Sequence, residues 1–315
     1  MKIHVIPICD ISSEQKMRIK KLGHVKFFKK TVINDQDFLN KCIGADILMM
    51  PPRPPIDPIP YLKQCKFISL FSTGYDAIDI HLARKKGILI SNVPAYATDS
   101  VAEHIFAMIL NLTKNIKRAD EIVRKNLWNA ELMVKSVELF GKTFGIFGFG
   151  KIGCRAAEIA KSFGMKVIAH TRENNNNHAG IDFVSFEKLL NDSDFIVLAA
   201  PLTKETFHKF GEKEFRAMKK KPIFINTARG AIVNEKALIK AIKNKWISGA
   251  GLDVFEKEPL AKNHPFCRFN NVILTPHVAW GSEEAVEKLV DIAIDNVKAF
   301  LQGRPKNIVN LPSKM

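Results

Sequence analysis

No stretch of this sequence is apolar for long enough to span a bilayer. A run such as Phe195 to Leu202 falls far short of the roughly 20 residues a transmembrane helix needs. The N-terminus, Met1-Lys2-Ile3-His4-Val5-Ile6-Pro7, lacks the long apolar core and small-residue cleavage site of a secretory signal. Cysteine is scarce and odd in number: Cys9, Cys42, Cys65, Cys154 and Cys267 are widely spaced, with no C-x-x-C pair. That pattern argues against a disulfide framework and against a zinc site, and fits a reducing compartment. The nine histidines include no H-E-x-x-H and no Cys/His cluster, so no metal is expected. The expectation is a soluble, cytoplasmic protein with no membrane partner.

Acidic residues are also in short supply: 32 against 48 Lys and Arg, for a net charge of +16. A nucleic-acid surface would concentrate that charge on one element and interleave it with aromatics. Here the lysines come in short scattered runs, such as Lys20-Lys21, Lys29-Lys30 and Lys219 to Lys221, at the edges of expected helices. They read as solvated faces, and no nucleic-acid partner is expected. Such a field still draws anionic substrates modestly.

What is present is alternation. At 315 residues the chain suits two domains of ordinary size. Strand-like runs at Ile3–Ile8, Asp46–Met50, Phe67–Phe71 and Ile88–Val93 are separated by helical patterns at Ser13–Leu22, Asp35–Ile43 and Ala77–Lys86. The proline-rich stretch Pro51-Pro52-Arg53-Pro54-Pro55 reads as a loop, and Asn174 to Asn177 as a turn. After Pro94 one long helix is expected from Ser100 to Arg124. A second strand series follows at Thr143–Phe147, Lys166–His170, Phe195–Ala200, Ile223–Thr227, Gly251–Phe255 and Val272–Thr275. The last helix runs from an N-cap at Ser282 to about Leu301, with Val286, Leu289, Val290, Ala293 and Val297 on one face. The fold class implied is α/β, with two doubly wound parallel-sheet domains and a ligand cleft between them.

Gly148-Phe149-Gly150-Lys151-Ile152-Gly153 matches G-x-G-x-x-G. It follows an apolar strand and opens a helix, and a second strand closes the βαβ unit in about thirty residues, as a dinucleotide fingerprint requires. Gly148 would permit the tight turn, Gly150 the approach of pyrophosphate, and Gly153 close helix–strand packing, with free N–H groups at the helix start holding phosphate. An NAD site would place an acid at the end of the second strand. The position eighteen residues past Gly153 holds Thr171, followed by Arg172. A hydroxyl and a guanidinium suit a 2′-phosphate, so NADP is favoured over NAD.

Three further segments fall where strands of the second series should end: Asn226 to Gly230, Gly251 to Pro259, and Thr275 to Trp280. They offer Arg229, Glu258 and His277. A forked guanidinium can grip a substrate carboxylate and the carbonyl beside it. An imidazole can protonate that carbonyl oxygen as hydride arrives. A carboxylate paired with the imidazole would orient it and stabilise its charged form.

With these segments in order the chain resembles the D-2-hydroxyacid dehydrogenase family, and most closely its glycerate dehydrogenase and glyoxylate/hydroxypyruvate reductase branch. The resemblance also takes in Ser72-Thr73-Gly74-Tyr75-Asp76, Asn92-Val93-Pro94-Ala95-Tyr96 and Ser100-Val101-Ala102-Glu103, and covers most of the chain. It implies a Rossmann cofactor domain, residues 97–284, inserted into a flavodoxin-like substrate domain, residues 1–96 and 285–315. It implies that Arg229, Glu258 and His277 are catalytic, and that Asp253 bonds the nicotinamide amide. Lys151, Ile152, Ala200, Thr227, Ala228, Ala279 and Trp280 would line the cofactor, and Thr73 and Gly74 would present N–H groups to the substrate carboxylate. Subunits of the family usually pair through the long helix near Ser100, so a homodimer is expected.

The segment from Trp128 to Phe140 is expected to be a second departure from the family's pattern. Two other readings stay open. One is a phosphoglycerate dehydrogenase-like enzyme, many of which carry an added regulatory domain where this sequence stops at Met315. The other is a non-catalytic, dinucleotide-sensing protein akin to a co-repressor, for which no partner-binding tail is visible.

Overall fold

A computed structural model describes residues 1–29, 34–128, 136–172 and 180–311. The chain divides into two compact units, Met1–Ala97 with Ser282–Met315, and Thr98–Gly281. The expected turn at Asn174 to Asn177 lies outside the described residues, as does 129–135 of the segment expected to depart from the family.

The first unit alternates β1 (Lys2–Val5), α1 (Ser13–Lys20), β2 (His24–Phe27), α2 (Asp35–Cys42), β3 (Ile47–Met50), β4 (Phe67–Leu70), α3 (Ile80–Lys85) and β5 (Leu89–Ser91). Its parallel strands lie in the order β2-β1-β3-β4-β5, the flavodoxin-like winding. All four positions of β3 and of β4 are buried, as continuous apolar runs must be when helices cover both faces of a sheet. β1 is shorter than expected, because Pro7 has no N–H to continue the ladder. β2 is not anticipated by the sequence reading; it is a four-residue edge strand whose alternate positions are exposed. α3 starts three residues later than expected, where the Asp79 carboxylate accepts from the N–H groups of His81 and Leu82. Burial in this core pushes the thiols of Cys42 and Cys65 up to about 12, so neither reacts as a thiolate near neutral pH.

The second unit begins with α4 (Thr98–Lys114) and α5 (Ile116–Arg124). One continuous helix was expected here, and the structure corrects that. Asn115 takes the left-handed conformation, with φ 54° and ψ 38°, and divides the two. Asparagine tolerates that region better than most residues. Two residues earlier the Thr113 hydroxyl donates back to the Ile109 carbonyl at 2.8 Å, a bond that often bends helices.

There follow β6 (Thr143–Phe147), α6 (Lys151–Ser162), β7 (Lys166–His170), β8 (Asp182–Phe183), α7 (Phe186–Asp192), β9 (Phe195–Leu198), α8 (Glu212–Ala217), β10 (Ile223–Asn226), α9 (Glu235–Lys243), β11 (Gly249–Leu252) and β12 (Val272–Leu274). The sheet order is β12-β11-β10-β9-β6-β7-β8, a Rossmann winding with one strand added at the β11 edge. The chain re-enters the first unit as α10 (Glu283–Leu301), capped by Ser282, whose hydroxyl accepts from the Ala285 N–H. Leu289, Val290, Ala293 and Val297 are buried there as expected, and Phe300 stacks on Phe67 of β4. Among the described residues no helix is long and apolar enough to cross a membrane.

The register of the large sheet positions everything that follows. His170 pairs with Phe147, Phe147 with Leu198, Leu198 with Asn226, Asn226 with Leu252, and Leu252 with Leu274. Six strands therefore end in one row, and the loops after them leave the sheet at one level.

Beneath that row lies an aromatic core. Phe224 is fully buried, with the rings of Phe210 and Phe215 each 5.3 Å away. Phe224→Ala should destabilise this unit by about 3–5 kcal/mol, read as a lower urea midpoint; a loss under ~1 kcal/mol would mean the core refills the space.

Candidate active site

The turn after β6 is shaped by its glycines. Gly148 has φ +92°, and a Cβ there would lie 2.6 Å from both the N and the Cα of Ala200. Gly153 packs just as closely, its Cβ position 2.6 Å from the Gly148 carbonyl oxygen. Gly150 differs, since a Cβ there would meet nothing within 4 Å. The middle glycine is thus not required by the protein's own packing, but it keeps open the space a pyrophosphate would use. Gly150 is also the N-cap of α6 and supplies no side-chain cap. Lys151, Ile152 and Gly153 form the first turn, where N–H groups point outward and the helix dipole favours an anion.

Thr171 and Arg172 come directly after β7, with Arg172 exposed. The Glu205 carboxyl is held below the usual carboxylate range by the Thr203 hydroxyl and its own backbone N–H, with Arg172 and Lys204 adding to the effect. Glu205 therefore belongs to the electrostatic surroundings of Arg172. The sequence reading missed it, because it sits in the loop after β9, more than thirty residues further along the chain.

Arg229 is set by a side-chain turn at the end of β10. Asn226 is 1% exposed; its Nδ2 donates to the Arg229 carbonyl at 2.9 Å, and its Oδ1 accepts from the Ala228 N–H at 3.0 Å. The Arg229 Nη1 donates to the Ala228 carbonyl at 2.7 Å. Gly230 follows, and a Cβ there would lie 1.9 Å from the Phe255 carbonyl carbon. This glycine presses the Arg229 turn onto the backbone that leads to Glu258.

Glu258 and His277 meet directly. Glu258 Oε2 lies 2.8 Å from His277 Nδ1, and Glu258 Oε1 accepts from the Phe255 N–H at 3.1 Å. An ionised carboxylate can only accept, so Nδ1 carries the proton and the imidazole is oriented with Nε2 on its far side. Both side chains are partly exposed.

Asp253, by contrast, is 1% exposed. Its Oδ1 accepts from Thr275 Oγ1 at 2.6 Å and from the Val278 N–H at 2.9 Å, and its Oδ2 accepts from the Ala279 N–H at 3.0 Å. Its own carbonyl accepts from the His277 N–H at 2.8 Å. Trp280 Nε1 donates to the His277 carbonyl. Ala200, Thr227, Ala228, Ala279 and Trp280 all stand in the loops that leave the common strand-end row.

Thr73 and Gly74 belong to the first unit, just after β4. The Thr73 hydroxyl donates to the Val93 carbonyl at 2.7 Å, and its own carbonyl accepts from Asn92 Nδ2 at 2.7 Å.

Comparison with known proteins gives a consistent answer. Residues 106–279 match the model of the D-isomer specific 2-hydroxyacid dehydrogenase NAD binding domain. A glyoxylate reductase of Thermococcus litoralis is 45% identical over 255 residues, covering 78% of this chain and 77% of that one. Among solved structures, an acyclic imino acid reductase in complex with NADPH and D-Arg superposes with TM-score 0.89 at 34% identity, covering 98% of this chain and all of that one. D-lactate dehydrogenase from Aquifex aeolicus, complexed with NAD and lactic acid, superposes with TM-score 0.85 at 31% identity, covering 99% and 100%.

The open space at Gly150 gives a direct test. Gly150→Ala should leave the melting temperature of the free protein unchanged and weaken dinucleotide binding about tenfold or more, because the added methyl meets no protein atom and would crowd only a phosphate bound there. Titration followed by nicotinamide fluorescence reads the affinity, and unaltered binding would show that the phosphates lie elsewhere.

Proposed function

The chain belongs to the D-isomer specific 2-hydroxyacid dehydrogenase family, and from that premise we propose that it reduces glyoxylate or hydroxypyruvate to the D-2-hydroxy acid, with NADPH favoured over NADH. It is an oxidoreductase that uses a nicotinamide dinucleotide to reduce a 2-oxo acid. The observation that carries the proton-transfer chemistry is the 2.8 Å pair between Glu258 and His277, in loops that follow the same strand-end row as Arg229.

The chemistry divides among these groups. When bound, the nicotinamide supplies the hydride that adds to the carbonyl carbon. Arg229 holds the substrate carboxylate and polarises the neighbouring carbonyl oxygen through its planar fork. His277 Nε2 delivers a proton to that oxygen, completing the hydroxyl, and takes it back in the oxidative direction. Glu258 holds the ring so that Nε2 and not Nδ1 faces the substrate. Asp253 already accepts three hydrogen bonds, so a nicotinamide amide would share its Oδ2 with the Ala279 N–H.

The cofactor preference rests on the strand-end pair Thr171 and Arg172. Two groups suited to a 2′-phosphate, and no acid at position 171, support NADPH. Among the described residues Glu205 is an opposing charge, and the phosphate would compete with it for Arg172. A homodimer fits the apolar surface of α5 and the residues after it, where Ile116, Val123, Leu127 and Trp128 are all exposed.

Initial rates with hydroxypyruvate and glyoxylate should be faster with NADPH than with NADH. His277→Ala should lower kcat/KM by about 10²–10⁴-fold. Arg172→Ala should weaken NADPH use about tenfold or more and leave NADH use unchanged, the loss of a charge-assisted contact. A preference for NADH in the parent protein would overturn the phosphate reading alone, and full activity in His277→Ala would overturn the mechanism.

A further inference from the structure

His277 stands on a loop that is gripped from a second side. Ser100 and His104 lie one turn apart on α4, and both reach the segment from Thr275 to Trp280. Ser100 Oγ donates to the Ala279 carbonyl at 2.7 Å, and His104 Nε2 lies 3.1 Å from Thr275 Oγ1. The direction of the second bond follows from proton counting. The Thr275 hydroxyl has one proton, and at 2.6 Å it goes to Asp253 Oδ1, a carboxylate oxygen that can only accept. Toward His104 the Thr275 oxygen is therefore an acceptor, and His104 must carry a proton on Nε2. The result is a one-way chain from His104 through Thr275 to the buried carboxylate that holds the N–H groups of Val278 and Ala279.

We propose that His104 is a positioning residue for His277, fixing the Thr275 hydroxyl so that Asp253 and the loop after it keep the imidazole in its working orientation, with Ser100 securing the far end of the same loop. This rests on the reading of His277 as the proton donor. His104 touches neither Glu258 nor His277 in the described contacts, and it acts only through Thr275 and Asp253. Without its N–H the Thr275 oxygen loses a donor. The Thr275 side chain is then held by its single bond to Asp253, and the loop is less tightly fixed. Small displacements of a reacting group are costly, about a hundredfold in rate for 1 Å.

The test compares His104→Leu, which removes the donor, with His104→Gln, whose amide can donate from nearly the same place. His104→Leu should lower kcat with NADPH and hydroxypyruvate about tenfold or more, with KM for both within about twofold of the parent. His104→Gln should recover most of that loss. In the free protein, hydrogen exchange of the peptide spanning residues 275–281 should be faster in His104→Leu and near parental in His104→Gln, a readout that needs no turnover. A parental kcat in His104→Leu would overturn the proposal, as would a Gln variant no better than Leu in both rate and exchange. His277→Ala serves as the separate control: if it keeps its activity, the reading of His277 fails; if it is inactive while His104→Leu matches the parent, only the role of His104 fails.

Discussion

In a parallel sheet every strand must be followed by a crossover before the next begins, so all carboxyl ends face one way. Here the register goes further and ends six strands in a single row. The glycine turn, the Thr171-Arg172 pair, the Arg229 turn, Asp253 and the loop carrying His277 start from that row within one residue or two of each other. Shifting one strand by a residue would carry its functional loop about 3.3 Å along the strand and turn every side chain on it to the opposite face. The apolar strands prevent this, because β9 is buried at every position and has no face that water would accept.

Two polar side chains are buried in or just after the row, and each makes a turn. Asn226 folds the backbone around Arg229 with both ends of its amide, and Asp253 gathers the segment from Thr275 to Ala279 with both carboxylate oxygens. An unsatisfied polar group at such depth would cost about 1–3 kcal/mol, and more if charged. Each is fully engaged, so the same bonds that make burial tolerable also fix where Arg229 and His277 point. Gly230 joins the two systems by admitting the Arg229 turn to within contact of the Phe255 backbone.

The fold was largely legible in the sequence because β-branched runs and helix-period runs alternate, and because G-x-G-x-x-G sits between a strand and a helix. The strand-end placement of Arg229, Glu258 and His277, the trio proposed to be catalytic, was legible for a related reason: each follows a strand pattern of the parallel sheet. What stayed hidden depends on contacts far apart in the chain. His104 reads as one more position on an apolar helix, and nothing local links it to Thr275, 171 residues away. Glu205 comes under the influence of Arg172 only once β9 lies beside β6. The break at Asn115 was missed because helical periodicity continues on both sides of it, while the turn itself needs a single residue in the left-handed region.

His277 itself lies in that region, with φ 55°. For a residue other than glycine this costs about 1–2 kcal/mol, although histidine is among the types found there more often than most. Strain of this size persists only where the surroundings over-determine it. They do so here: the His277 N–H is bonded to the Asp253 carbonyl, its carbonyl to Trp280, and the next two N–H groups to the Asp253 carboxylate. With the backbone pinned on both sides of the residue, the ring has little freedom beyond its own side-chain torsions, and the Glu258 contact takes up what remains. The direction of Nε2 is therefore a property of the loop as much as of the side chain, which is why a contact made two residues earlier, at Thr275, can bear on it.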